Sequence, residues 1–317
     1  MRPSATYRVQ LHAGFTFDDA AALAPYLAAL GISHLYCSPV LQAVPGSTHG
    51  YDVVDHSRLS EELGGAAGFE RLADALGECG LSIVLDTVPN HMALAGAANR
   101  WWWDVLEDGP SSRYAQHFDI DWASSDSTGG PSVLMPILGD HLGRVLEAGE
   151  LRLARHGGAF VVTYHDHELP LSPRSLDDVL AKAAARSGSD ELATIARELG
   201  DLPHAARTDA AAVDARHRGK LDLRQRLAAL CQLEPAVAEA IDGELASASS
   251  DLDALEALLA RQNYRLASWR TADEELDYRR FFSITTLAGV RVEDEHVFEE
   301  SHRLLLDLVA RGDRAER

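Results

Sequence analysis

Lysine is almost missing from this chain: Lys182 and Lys220 are the only two in 317 residues, and every other basic side chain is arginine. Lys and Arg together number 29 against 49 Asp and Glu, for a formal net charge of −20. Such a surface repels phosphate backbones and anionic lipid, which argues against nucleic acid and membrane as partners and leaves a neutral ligand such as a sugar compatible. Cysteine is scarce too. Cys37, Cys79 and Cys231 are far apart and odd in number, which argues against a disulfide framework. No run approaches the roughly 18 apolar residues of a membrane span, and the N-terminal residues lack the apolar stretch of a secretory signal. A cytoplasmic setting is expected. Hydrophobic residues nevertheless make up 46% of the chain, enough for a sizeable core.

Two periods alternate over the first ninety residues. Thr6 to Leu11, Ile32 to Cys37 and Leu81 to Leu85 read as short apolar strands. Between them lie two amphipathic helices. Leu23, Tyr26, Leu27 and Leu30 mark the first, capped by Thr16 and stopped by Gly31; Phe69, Leu72, Ala73 and Leu76 mark the second, stopped by Gly80. Strands joined through helices are parallel, so the order β-α-β-α-β predicts either an open doubly wound sheet or a barrel. A dinucleotide fold needs a G-x-G-x-x-G turn after its first strand. Here that turn is His12-Ala13-Gly14-Phe15-Thr16, which favours the barrel.

The expected fold class is therefore α/β: an incomplete (β/α)8 TIM barrel, of which the first three strands are present. Residues 1–95 form its first part. From 96 to 280 the barrel rhythm stops, and a large, mainly helical inserted subdomain is expected, with a β-like patch near Phe160–Tyr164. Residues 281–317 return to the barrel as its third helix, with Val297, Phe298, Leu304, Leu305 and Leu308 on the apolar side and Gly312 as a stop. No fourth strand follows in the sequence, so the barrel is expected not to close.

Barrel enzymes keep their chemistry on the loops after the strands. The loop from about Ser38 to Gly64 is long and holds His49-Gly50-Tyr51-Asp52, with Asp55 further on. A tyrosine beside a glycine can lay its ring against the apolar face of a sugar, or it can simply pack beside a tight turn. After the third strand comes Asp86-Thr87-Val88-Pro89-Asn90-His91. This is either a plain strand-to-loop turn or a device that aims Asp86 and His91 into one pocket, where histidine can bond a sugar hydroxyl. Trp101-Trp102-Trp103 can stack sugars, but on a helix they point to different sides, so at most one or two share a face and packing accounts for the rest. His165-Asp166-His167-Glu168 lacks a third-ligand pattern, and no metal is expected there. Gly289-Val290-Arg291-Val292-Glu293-Asp294 imitates the G-x-R-x-D nucleophile signature of amylase barrels, with Glu293 where Asp belongs, and reads as a turn and helix start.

Asp86 to His91 resembles the first conserved region of the α-amylase superfamily, family 13 of the glycoside hydrolases. Thr6-Tyr7-Arg8-Val9-Gln10-Leu11, Tyr36-Cys37-Ser38-Pro39, Pro45 to Asp55, Trp101 to Glu107 and Tyr278-Arg279-Arg280-Phe281-Phe282 together resemble the maltooligosyl trehalose synthase family, in order along nearly the whole chain. The resemblance implies an isomerase that converts the reducing-end α-1,4 linkage of a maltooligosaccharide, or other α-1,4-glucan, to an α,α-1,1 linkage. It implies retaining double displacement by two close carboxyl groups. Tyr51 is implied to stack under the sugar, His91 to bond its hydroxymethyl group, and His49 to share in substrate binding. Asp86, Asn90 and Asp52 support the pocket. Asn90 matches a calcium position of many amylases, but one ligand does not establish calcium, and no cofactor is expected. The resemblance also implies a monomeric full-length parent. The nucleophile, acid/base and third carboxylate have no counterpart here and are expected beyond Arg317, so this polypeptide alone is expected to be inactive. A related hydrolase or glucanotransferase, or a noncatalytic glucan-binding remnant, are the alternatives.

Overall fold

The computed structural model describes residues 3–123 and 130–315 and divides into two compact units. The first unit comprises Met1–Arg100 and Arg280–Arg317. Its first stretch holds β1 (Thr6–Val9), α1 (Phe17–Ala22), α2 (Ala24–Ala29), β2 (His34–Cys37), β3 (Leu41–Ala43), β4 (Val53–Leu59), α3 (Gly65–Glu78), β5 (Ser82–Leu85) and β6 (His91–Ala93). Thr16 and Asp19 form a capping box at the start of α1, with the Thr16 amide donating to Asp19 Oδ2 at 2.8 Å. The single helix expected here is two. Pro25 has no amide to donate and its ring crowds the preceding turn, so the chain re-starts after Leu23.

β1, β2 and β5 pair in parallel in that order, with Arg8, Tyr36 and Val84 in one register layer. The side chains alternate across this sheet. Val9, Leu35 and Cys37 point into a core completed by Phe17, Leu27, Phe69, Leu72 and Leu76 of the covering helices. Arg8, Tyr36 and Val84 lie on the opposite face and keep solvent exposure. The long loop expected from Ser38 to Gly64 is a hairpin instead. β3 and β4 pair antiparallel with two register shifts, and their irregular turn carries residues 45–52. The shifts break the strict alternation by which a strand is legible in sequence.

The second unit, Trp101–Arg279, begins within α4 (Arg100–Asp108) and continues with β7 (Val133–Leu138), α5 (Leu142–Glu147), β8 (Leu151–His156), β9 (Ala159–Tyr164) and β10 (His167–Pro170). Then come α6 (Asp177–Ser187), α7 (Asp190–Asp201), α8 (Ala210–Leu233), α9 (Pro235–Ser250), α10 (Leu252–Leu259), β11 (Tyr264–Ser268) and α11 (Ala272–Glu275). Helices dominate, and the β-like patch near Phe160 is the central strand of an antiparallel sheet, β8-β9-β10. β7 and β11 add a parallel pair that the sequence pattern does not reveal. Pro136 interrupts the strand signature of β7; it sits in the stretch where the register shifts, a place that tolerates a missing amide. Trp102 is buried edge-on against Phe118 and Tyr278, and Trp101 stacks on Tyr114, so adjacent tryptophans do serve different sides.

Lys220 and Arg216 of α8 are buried in this unit, Lys220 to 2% exposure. Cations survive such burial only when paired. The Lys220 ammonium donates to Asp104 and Glu107 of α4 at 2.9 Å and also to Asp108, while Arg216 donates to Asp108 at 2.7 Å. Burial opposes the charge on Lys220, but the carboxylates of Asp108 and Asp104 outweigh it and raise its pKa. Asp104, Asp108 and His217 offer donor atoms within 4.8 Å of one another, yet the centre of this acidic group is taken by side-chain cations.

The chain returns to the first unit as β12 (Arg280–Phe281), β13 (Ile284–Gly289) and α12 (Glu295–Ala315). β13 pairs antiparallel with β12 on one side and with β6 on the other. Residues 290–294 are the turn into α12. Val297, Ser301 and Leu305 of that helix are buried. Two expectations are corrected here. Phe298 is exposed and stacks on His302, and the helix runs through Gly312, whose missing side chain does not by itself end a helix. Among the described residues no helix is long and apolar enough to cross a membrane.

Candidate functional site

The turn between β3 and β4 and the segment after β5 come together in the first unit. Gly50 makes the turn possible. Its φ is +77°, and a side chain there would place Cβ 2.8 Å from the Pro39 carbonyl oxygen. The Gly50 amide donates to Ser47 Oγ, and Ser47 in turn donates to Asp52. Gln10 of the loop after β1 ties the same turn down by donating to the Thr48 carbonyl at 2.9 Å.

Tyr51 is thereby held at both ends. Its amide donates to His49 Nδ1 at 3.0 Å, and its carbonyl accepts from His91 Nε2 at 2.8 Å. Its hydroxyl donates to Asp86 Oδ2 at 2.5 Å and accepts from Arg8 at 3.2 Å. The Asp86 carboxylate stabilises the protonated phenol and raises its pKa. Tyr51 keeps 36% exposure, and the His49 ring lies roughly parallel to its ring with centroids 6.0 Å apart.

His91 is nearly buried, and desolvation lowers its pKa, favouring the neutral ring. With Nε2–H donating to Tyr51, Nδ1 is the acceptor, and it is buried without a hydrogen-bond partner. The imidazole lies on the Phe281 ring, centroids 3.8 Å apart and planes within 24°.

Five of the six residues singled out in the sequence, His49, Tyr51, Asp52, Asn90 and His91, line one cavity of about 560 Å³. Asp86 stands behind it, in contact through the Tyr51 hydroxyl. The remaining wall consists of Thr87–Pro89 and of Phe281, Ile284, Thr286 and Leu287. A volume of this order suits a ligand of one or two sugar rings. Arg8 and the β12–β13 residues carry no site role in the sequence reading. The Tyr278–Phe282 motif flagged the second group as distinctive, but only the pairing of β13 with β6 shows where it lies.

Residues 22–141 match the family model described as alpha amylase, catalytic domain. A Mycobacterium tuberculosis protein named as a maltooligosyl trehalose synthase is 35% identical over 303 residues, which is 94% of this chain. The solved maltooligosyltrehalose synthase of Arthrobacter ramosus is 35% identical over 98% of the chain, with a TM-score of 0.65. This chain is similar along nearly its whole length to one portion of maltooligosyl trehalose synthases. It spans 28% of the length of the curated M. tuberculosis relative and 30% of the A. ramosus structure. A shorter stretch of 95 residues is 36% identical to the intracellular maltogenic amylase of Bacillus subtilis, which covers 30% of this chain.

Gly50→Ala tests how the turn presents Tyr51. Positive φ and the Pro39 contact act together, so a loss of about 2 kcal/mol in unfolding free energy is expected. Denaturant unfolding measures it, and an unchanged midpoint would show that the turn accommodates a side chain.

Proposed function

We propose that this chain forms the sugar-holding part of a maltooligosyl trehalose synthase site and binds one end of an α-1,4-glucan against Tyr51. The observation that carries the reading is the fixation of one exposed tyrosine ring, by Arg8 and Asp86 at its hydroxyl and by His49 and His91 at its main chain, on the wall of a sugar-sized cavity. A ring immobilised before the ligand arrives loses little entropy on binding. Its face meets the C–H face of a glucose unit. The side chains of His49, Asp52 and Asn90 offer polar groups to the hydroxyls. Asn90 alone is no calcium site.

In the same reading β1, β2 and β5 are the first three strands of a (β/α)8 barrel. Their covered face is the one toward the barrel helices, and Arg8, Tyr36, Val84 and Asp86 belong to the barrel interior, where polar residues at strand ends reach the substrate. Residues 96–280 are an insertion between the third strand and its helix, and 281–317 the return to the barrel. The whole enzyme's reaction is an intramolecular transfer of glucose from its α-1,4 linkage to an α,α-1,1 linkage. A nucleophilic carboxylate takes the anomeric carbon, an acid/base carboxyl protonates the leaving oxygen, and the freed glucose returns through its own C1 hydroxyl. No residue of these 317 matches the motifs that carry those carboxylates, so the chain's own part is binding and orientation.

Calorimetric titration with maltohexaose tests the reading. Dissociation constants in the millimolar range are expected for a partial site, with loss of detectable binding in Tyr51→Ala and no trehalosyl product on prolonged incubation. Absence of binding by the unaltered chain, or binding indifferent to Tyr51→Ala, overturns it.

A further inference from the structure

Within the Tyr278–Phe282 motif, Phe282 is an aromatic residue that neither the cavity nor the core uses. Phe282 is 80% exposed, the largest exposure of any aromatic side chain among the described residues. It is also one of two described non-glycine residues with positive φ, at +54°. Phe281 pairs with Ile284, so Phe282 and Ser283 form a two-residue hairpin turn, and Phe282 occupies the first central position. Glycine is the usual residue there when φ is positive. A bulky side chain in this conformation costs conformational energy, and an exposed one regains little of it by burial.

Its surroundings point to a ligand. The Phe281 and Phe282 rings meet edge to face with centroids 4.6 Å apart, and Phe281 lies on His91. Phe281 and Ile284, which flank the turn, both line the cavity, while Phe282 does not. The hairpin thus carries an apolar ring just outside the space assigned to the first glucose. Ile284, 45% exposed, extends the same apolar surface.

We propose that Phe282 is a second stacking platform, one that holds a further glucose unit of an α-1,4-glucan chain beside the unit on Tyr51. The proposal rests on the sugar-pocket reading above and adds to it a subsite and a residue that selects chain length. An α-1,4-glucan presents an apolar C–H face on successive rings, so two aromatic platforms suit it better than one. The backbone strain at residue 282 is then the cost of presenting a ring to the ligand.

Phe282→Gly separates this role from a structural one, because glycine relieves the turn while removing the ring. The full 317-residue chain is titrated with maltose and with maltohexaose, and its melting temperature is measured. Expected are an equal or higher Tm, unchanged maltose affinity, and maltohexaose affinity reduced about 3- to 10-fold. Phe282→Trp keeps the maltohexaose affinity. Equal maltohexaose binding by the Phe282→Gly chain overturns the platform and leaves the Tyr51 pocket standing. Binding of neither sugar by the unaltered chain overturns both.

Discussion

Replacing Lys220 with Met is expected to lower the stability of the second unit by about 3–5 kcal/mol, the usual result of removing one partner from a buried ion group. Asp104, Glu107 and Asp108 face this ammonium inside α4. Arg216 and Arg224 remain, but each is already committed to one of the same carboxylates. The variant leaves negative charge in a place where water cannot replace the lost cation. For a unit of this size the loss corresponds to a fall of about 10 °C in melting temperature, readable by calorimetry or circular dichroism. Adding Asp108→Asn to Lys220→Met should recover part of it, since that removes the uncompensated charge. A melting temperature within about 2 °C of the parent would mean that solvent reaches the cluster and the pairing is worth no more than a surface salt bridge.

Acid sensitivity of the first unit should centre on His56. This residue of β4 is buried and bonds the Val88 carbonyl through Nε2 at 3.1 Å, just before the Pro89-Asn90-His91 turn. Burial holds its pKa down to about 4, against 6.5 for an ordinary histidine; the Val88 hydrogen bond and Asp55 oppose, while His302 and His91 act in the same direction as burial. The folded state therefore keeps the ring neutral where the unfolded chain protonates it. Stability contributed this way is complete above pH 6.5 and is lost as pH falls toward 4, by about 3 kcal/mol in all. His91, whose pKa burial also lowers, adds to the loss with the same sign. His56→Gln keeps a donor for Val88 and cannot titrate, so its unfolding midpoint should change much less between pH 7 and pH 4.5. Parallel pH profiles for the two proteins would refute the assignment. The expected consequence for binding is a loosened Asp86–His91 segment at low pH.

The two kinds of site residue differ in how they could be found. Asp86 to His91 and His49 to Asp52 are legible because each is a compact motif after a recognisable strand, and the resemblance places both at one sugar. The structure adds the connection between them: the Tyr51 hydroxyl on Asp86 and the Tyr51 carbonyl on His91. Arg8 could not be singled out, since an arginine in a short strand is unremarkable until the register layer puts it beside Tyr51. The hairpin of β3 and β4 is likewise illegible. Register shifts erase its period-two pattern, and glycine and proline in the turn read simply as loop.

β1, β2, β5, α3 and the capped start of α1 follow from local chemistry, because each element's own side chains decide which face is buried and where the helix begins. Composition and charge argued for a neutral ligand, and the two motifs held residues that line one cavity. Partnership between distant segments is a different matter. Gly289 pairs with His91 across nearly 200 residues of chain, and this alone brings Phe281 onto the imidazole and sets Phe282 beside the cavity. Lys220 gives no local sign of burial either, because what makes burial bearable is three carboxylates from α4, more than a hundred residues away. Periodicity reports a residue's relation to its own element. Strand register and charge compensation are properties of two elements at once, and only the folded chain decides them.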